Sequence, residues 1–334
     1  MTKTQQTSTK KTTKKKEQSL IAPNTIIKLT IPSKKIQETY QKNLKKMASK
    51  IKTDGFRKGK APLKIAEEKI GKNKIIDQVL QELVPAYYQE AIKKDKKTPL
   101  TNPRFNPLKL KLGENFELEA HFAEKPEVKL GTYKKIVKNA KTKAEKEIKA
   151  AEKEVKKTKP VEDQGELRSK RGYPGVKKTK AGKDQKTETT KLSDAQKQDM
   201  TLQLVFKDLI TELKPAIPQL LVEEETEKEL KKFAQNLSSM KIELEDYLKS
   251  QQMTFESLSN QMAASSLGRL QLEFILGQIS EEEKIEVTQD EIKKKIDTVE
   301  DAQIKKKMEK DAYYQAYLKS MISRQKVIDF IKAL

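Results

Sequence analysis

No cysteine and no tryptophan occur in the 334 residues, and histidine occurs once, at His121. Without thiols there is no disulfide, no thiolate zinc site and no cysteine nucleophile. A single imidazole leaves the usual nucleophile–base pairs with few members to draw on. His121 sits in an alternating stretch, where a strand histidine serving its fold is the plain reading, and no metal site is expected. Apolar runs long enough to span a bilayer are missing as well. The first nineteen residues are rich in Lys, Thr and Gln. They lack the apolar stretch of a secretory signal and the arginines of a transit peptide, so the cytosol is the expected location.

Charge is what the chain has in abundance. Charged residues make up 36% and hydrophobic ones 35%, which predicts thin cores and helices with broad solvated faces. The net charge of +22 divides into +19 over residues 1–138, +7 over 139–199 and −4 over 200–334. A basic front and a mildly acidic back suggest that one end meets an anionic partner, although a lysine-rich composition that merely aids solubility gives the same sum.

Periodicity supplies the elements. Ile27, Leu29 and Ile31 alternate as in a half-buried strand. Ser33 is placed to cap a helix bearing Ile36, Tyr40, Leu44, Met47 and Ile51, which stops at Thr53-Asp54-Gly55. After a polar tip, Pro62 opens a second helix with Leu63, Ile65, Ala66 and Ile70 on its apolar side. A third begins near Asn73, with Pro85 as a kink point. Residues 107–122 read as a hairpin turning at Gly113-Glu114. Residues 138–160 form a Lys/Glu/Ala tract that buries little, and 161–192 have few large apolar side chains. From Ser193 the pattern is helical, with capping boxes at Ser193–Gln196 and Thr288–Glu291.

The organisation expected is therefore a basic tail over 1–19 and an α+β domain over 20–138, an antiparallel sheet with helices. A Lys-rich flexible linker over 139–192 then leads to an all-α domain over 193–334.

One segment carries a sharp signal. Gly55-Phe56-Arg57-Lys58-Gly59-Lys60-Ala61-Pro62 joins two glycines, an aromatic anchor and cations on a loop between helices. It is no phosphate loop, because the spacing is wrong and Ala61 stands where Ser or Thr would bind magnesium. An aromatic flanked by cations on a turn fits a docking knob better than a solvated bend.

Gly-Phe-Arg-x-Gly-x-x-Pro is also the ribosome-binding signature of trigger factor, and residues 55–62 match every fixed position. The stretches Leu83 to Ile92, Lys125 to Val128, Leu130 to Tyr133, Ile217 to Glu225, Leu244 to Leu248 and Ile285 to Ile292 are similar too. The chain thus resembles that family over about 20–138 and 193–334, in a reduced form. Members usually carry an isomerase domain of the FK506-binding type in between. Residues 139–192 are too short, too polar and too poor in aromatics for one, so no enzymatic activity is expected.

The resemblance implies that Gly55, Phe56, Arg57, Lys58, Gly59, Lys60 and Pro62 dock on the large ribosomal subunit, on protein and rRNA beside the tunnel exit. Lys42, Lys45, Lys46 and Lys50 would add rRNA phosphate contacts. The C-terminal helices would cradle unfolded nascent polypeptides with no ATP and no cofactor. Met240, Met253, Met262, Phe274 and Met321 are the candidate client contacts, each also a candidate core residue. No membrane partner is implied, and a weak homodimer off the ribosome stays open. A basic ribosome- or nucleic-acid-associated structural protein is the alternative. A prolyl isomerase by family inheritance is the third reading.

Overall fold

The computed structural model describes residues 19–52, 55–155 and 193–334. The elements in chain order are β1 (Ile21–Ala22), β2 (Thr25–Ile31), α1 (Ser33–Ala48), α2 (Leu63–Ile70), α3 (Lys72–Lys94), β3 (Arg104–Lys109), β4 (Phe116–Phe122) and α4 (Tyr133–Val155). After residue 193 come α5 (Asp194–Leu213), β5 (Ile217–Pro218), α6 (Gln219–Ser239), α7 (Leu244–Ser250), α8 (Phe255–Glu282), α9 (Gln289–Asp297), α10 (Ala302–Lys310) and α11 (Ala312–Ala333). Among the described residues no helix is long and apolar enough to cross a membrane.

Two compact units result, and both are discontinuous in sequence. One gathers residues up to Glu127 with Ala216–Leu270; the other gathers Val128–Pro215 with Gln271–Leu334. In the first, β4 lies between β2 and β3 in an antiparallel sheet, with Leu29 opposite Leu118 and Ile31 opposite Phe116. The alternation works as expected: Ile27, Leu29, Ile31, Phe116, Leu118, Ala120 and Phe122 are all buried. Ile36, Tyr40 and Leu44 of α1 and Ile75, Val79 and Val84 of α3 complete that core.

Several expectations need correction here. The first hairpin strand starts earlier, at Arg104, and is exposed along its length, with a register shift between Pro107 and Lys109. Leu108 is 52% exposed at that register shift, and on this edge strand proline, lysine and irregular pairing blunt further strand addition. Ser33 does not cap α1; it is the first helical residue, and its N–H donates to Asn115 Oδ1 at 3.0 Å. The hairpin turn thus caps the helix from 82 residues away. Helix α3 holds Pro85, the expected kink point, inside its span.

A pairing without any local signal joins β1 to β5 in parallel, Ile21 opposite Ile217. Asn24 Oδ1 accepts from Leu220 N–H at 2.8 Å, which caps α6, a helix whose own N-cap residue makes no side-chain bond.

The second unit corrects the linker reading over its first part. Helix α4 continues through residues 139–155 and buries Ala140, Ala144 and Ile148. The rest of the expected linker, 156–192, and nearly all of the expected basic tail lie outside the described residues. Nor do the helices after Ser193 pack only on one another. Val128, Leu130, Tyr133, Val137 and Ala140 share a core with Val205, Leu209, Ile275, Ile279, Val327 and Ile331. Both capping boxes form: Ser193 with Gln196, and Thr288 with Glu291.

Candidate functional site

The tip between α1 and α2 is shaped by its backbone. Gly55 and Gly59 have φ of +79° and +75°, the left-handed region that side chains disfavour. They are not equivalent. A Cβ at Gly55 would meet nothing within 4 Å, whereas one at Gly59 would lie 2.7 Å from the carbonyl oxygen of Ser49. Gly59 N–H donates to the Ile51 carbonyl at 3.3 Å, and Lys60 N–H to that of Arg57 at 2.9 Å. Pro62 precedes α2 as its N-cap instead of being its first helical residue, and its carbonyl accepts from Ala66.

What this turn displays is both apolar and cationic. Phe56 is 39% exposed, and Arg57, Lys58, Lys60 and Pro62 are exposed. Among the described residues, Arg57, Lys58 and Lys60 make no ion pair. Leu63 and Ile65, expected on the buried side of α2, are 38% and 39% exposed; only Ala66 of that helix is buried. Both are thus exposed apolar side chains on the helix that follows the tip. Helical spacing finds apolar residues but does not say whether a partner covers them.

One part-buried contact ties α2 to α1. Tyr40 of α1 donates its hydroxyl to Glu67 Oε1 at 2.6 Å. Burial, then the Glu67 carboxylate, push the Tyr40 phenol well above its ordinary range.

The candidate lysines on α1 differ in their commitments. Lys42 donates to Glu82 at 2.7 Å and Asn43 binds the other carboxylate oxygen at 3.2 Å. Lys42 first, then Asn43, hold the Glu82 carboxyl below the usual range. Lys45, Lys46 and Lys50 are exposed.

The candidate client contacts are divided between the units. Met240, Met253 and Met262 belong to the first, and Phe274 and Met321 to the second. Met240 is 68% exposed after α6, and Met321 is exposed on α11. Met253 and Met262 are half-buried, and Phe274 packs against the second core. His121 lies 3.2 Å from Glu119, and no group of three metal-ligating side chains occurs among the described residues.

An α+β body with a cationic, aromatic-tipped turn between two helices, in a chain otherwise built of helices, is the class of protein that the described residues define. Comparison with known proteins makes that more definite. The profile described as bacterial trigger factor protein (TF) matches residues 10–159, and that of the trigger factor C-terminus matches 178–333. The chain belongs to the trigger factor family.

Trigger factor of Staphylococcus epidermidis is 34% identical over 109 residues, 33% of this chain and 25% of that protein. That of Caldanaerobacter subterraneus is 39% identical over 110 residues, 33% of this chain and 26% of that protein. The match thus spans about a quarter of these relatives' length. Trigger factor of Natranaerobius thermophilus is 23% identical over 410 positions, covering 92% of each chain. A solved structure described as "Promiscuous Substrate Recognition in Folding and Assembly Activities of the Trigger Factor Chaperone" shares the fold, with a TM-score of 0.56. Its identity is 14%, over 92% of this chain and 96% of that one.

Proposed function

We propose that the protein is an ATP-independent chaperone that docks at the ribosomal tunnel exit through residues 55–62 and holds nascent chains while they fold. The observation that carries the reading is the exposed Phe56-Arg57-Lys58 on a turn that Gly59 alone can make. The apolar ring anchors, and the cations add charge-assisted bonds to phosphate or carboxylate. Lys45, Lys46 and Lys50 supply further phosphate contacts, while Lys42 stays engaged with Glu82. Met240 and Met321 supply adaptable apolar surface to clients. The working location is the cytoplasm, on the ribosome.

The proposed form lacks isomerase activity. In support, the two matching profiles leave only residues 160–177 between them. The alignment to the Natranaerobius relative runs over 410 positions while covering 92% of this 334-residue chain. Many positions of that relative therefore have no counterpart here.

Replacing Phe56, Arg57 and Lys58 together by alanine tests the docking. Co-sedimentation with ribosomes should fall by over a hundredfold in affinity, about 3 kcal/mol, with the melting temperature unchanged. Undiminished co-sedimentation at moderate salt would refute it. A proline-limited refolding assay tests the second part, and a rate raised by catalytic amounts of the protein would contradict it.

A further inference from the structure

We infer that the groove between α4, α5 and the end of α11 receives client segments in which a carboxylate lies beside aliphatic side chains. The inference rests on the holding activity proposed above and names the class of segment held. The groove encloses about 430 Å³, and its floor is formed by Ile148, Leu202, Val205 and Ile331. That volume and an apolar floor suit a short stretch of side chains.

The rim supplies the charge preference. Lys141, Lys149, Lys197 and Lys332 stand around it against Glu145 and Glu152. Glu152 is engaged by Lys197 at 2.8 Å. Lys141 donates to the Lys332 carbonyl oxygen at 2.8 Å, a neutral acceptor. Burial holds its ammonium below the ordinary lysine range. Lys149 has no ion-pair partner among the described residues. A partly buried ammonium bonded only to a neutral acceptor gains from an arriving carboxylate.

The undescribed parts of this chain are poor occupants. Residues 156–192 carry a net charge of +7 and residues 1–18 one of +5, the same sign as the rim. The same balance recurs in a second groove of this unit, of about 590 Å³. There Met321 and Ile322 lie among Lys294, Lys295 and Lys326, against Glu291. Glu291 is engaged by Lys326 at 2.6 Å, and Lys294 and Lys295 line the groove with no ion-pair partner among the described residues.

Three fluorescent peptides with one aliphatic core, flanked by Asp and Glu, by Asn and Gln, or by Lys, test the inference by anisotropy on the full chain. The acidic peptide should bind about tenfold tighter than the basic one, and moderate salt should narrow the gap. Lys141→Gln with Lys149→Gln should weaken the acidic peptide about fivefold and leave the neutral one unchanged, with circular dichroism confirming the fold. Equal or tighter binding of the basic peptide overturns the inference. So does an acidic preference that survives in the double variant. A second copy in the groove would appear as a dimer that the acidic peptide fails to dissolve, which also overturns it. Suppression of aggregation of a denatured client is measured in parallel. Suppression without an acidic preference defeats this inference alone, whereas neither suppression nor peptide binding defeats the holding activity itself.

Discussion

The tip between α1 and α2 and the groove along α4 and α5 use the same two ingredients, apolar surface and cations, in opposite shapes. At the tip the apolar group is displayed: Phe56 is exposed on a turn constrained at Gly59, and Leu63 and Ile65 are exposed on α2 after it. In the groove they are recessed, and the lysines above them sit on flexible stems. A projecting anchor on a rigid turn concentrates affinity in a few side chains and suits one matching recess. A recessed aliphatic floor under mobile charges suits many sequences, each held weakly. The contrast teaches that composition does not separate a specific surface from a tolerant one; curvature and backbone rigidity do.

Four changes break or sharpen this contrast. The triple alanine at Phe56, Arg57 and Lys58 has the largest expected effect, over a hundredfold on ribosome affinity, and should leave client holding intact. An aggregation assay without ribosomes checks the second half.

Next comes rigidity itself. Gly59→Ala should cost about 2 kcal/mol in local stability, through both the left-handed φ and the clash with Ser49. Gly55→Ala should cost only about 1 kcal/mol, since its Cβ would meet open space. Amide exchange across the tip reads the difference, and equal effects would show that the turn is not held at Ser49.

Third, each unit has a buried tyrosine bonded to a glutamate. Tyr40 donates to Glu67 at 2.6 Å and Tyr133 to Glu283 at 2.5 Å. Burial first, then the glutamate, raise both phenols well above their ordinary range. A raised folded pKa means stability that is complete below the unfolded value and lost as pH rises through the folded one. Denaturant midpoints should therefore fall from about pH 10 upward. Tyr40→Phe and Tyr133→Phe should each cost about 1.5 kcal/mol at neutral pH and reduce that alkaline decline. A decline unchanged in both variants would assign it to other groups.

Smallest are the lysines of α1. Lys46→Gln should weaken ribosome binding a few-fold and lower its salt dependence by about one phosphate contact. Lys42→Gln should act more through Glu82 and stability than through the salt slope, because Lys42 is already paired.

Much of this was legible in the sequence. The strand Ile27–Ile31, the stripe of α1, the tip motif and both capping boxes follow from local spacing, and local spacing is what the backbone obeys there. Helix α4 looks unpacked in sequence because its seam is Ala140, Ala144 and Ile148. Weighing side chains by size undervalues alanine, whose small volume lets helices approach closely and bury surface without large groups. Leu63 and Ile65 failed for the opposite reason: their spacing implies a covered face, and the cover is absent from this unit's core. The β1–β5 pairing has no sequence signal, since two residues on each side are too few to show a period.

The bond from Asn24 to the amide of Leu220 closes a loop of 196 residues, whereas the tip closes between Ile51 and Gly59. During synthesis at about 5–20 residues per second, these two events fall on different clocks. The tip can form almost as soon as it is made. The amide side chain of Asn24 has no helix end to cap until roughly 10–40 s later at that rate. For that interval Ile21 and Ala22 remain a strand edge without a neighbour, exposed as any nascent chain is. A newly made copy passes through this vulnerable stage before its own α6 arrives to end it.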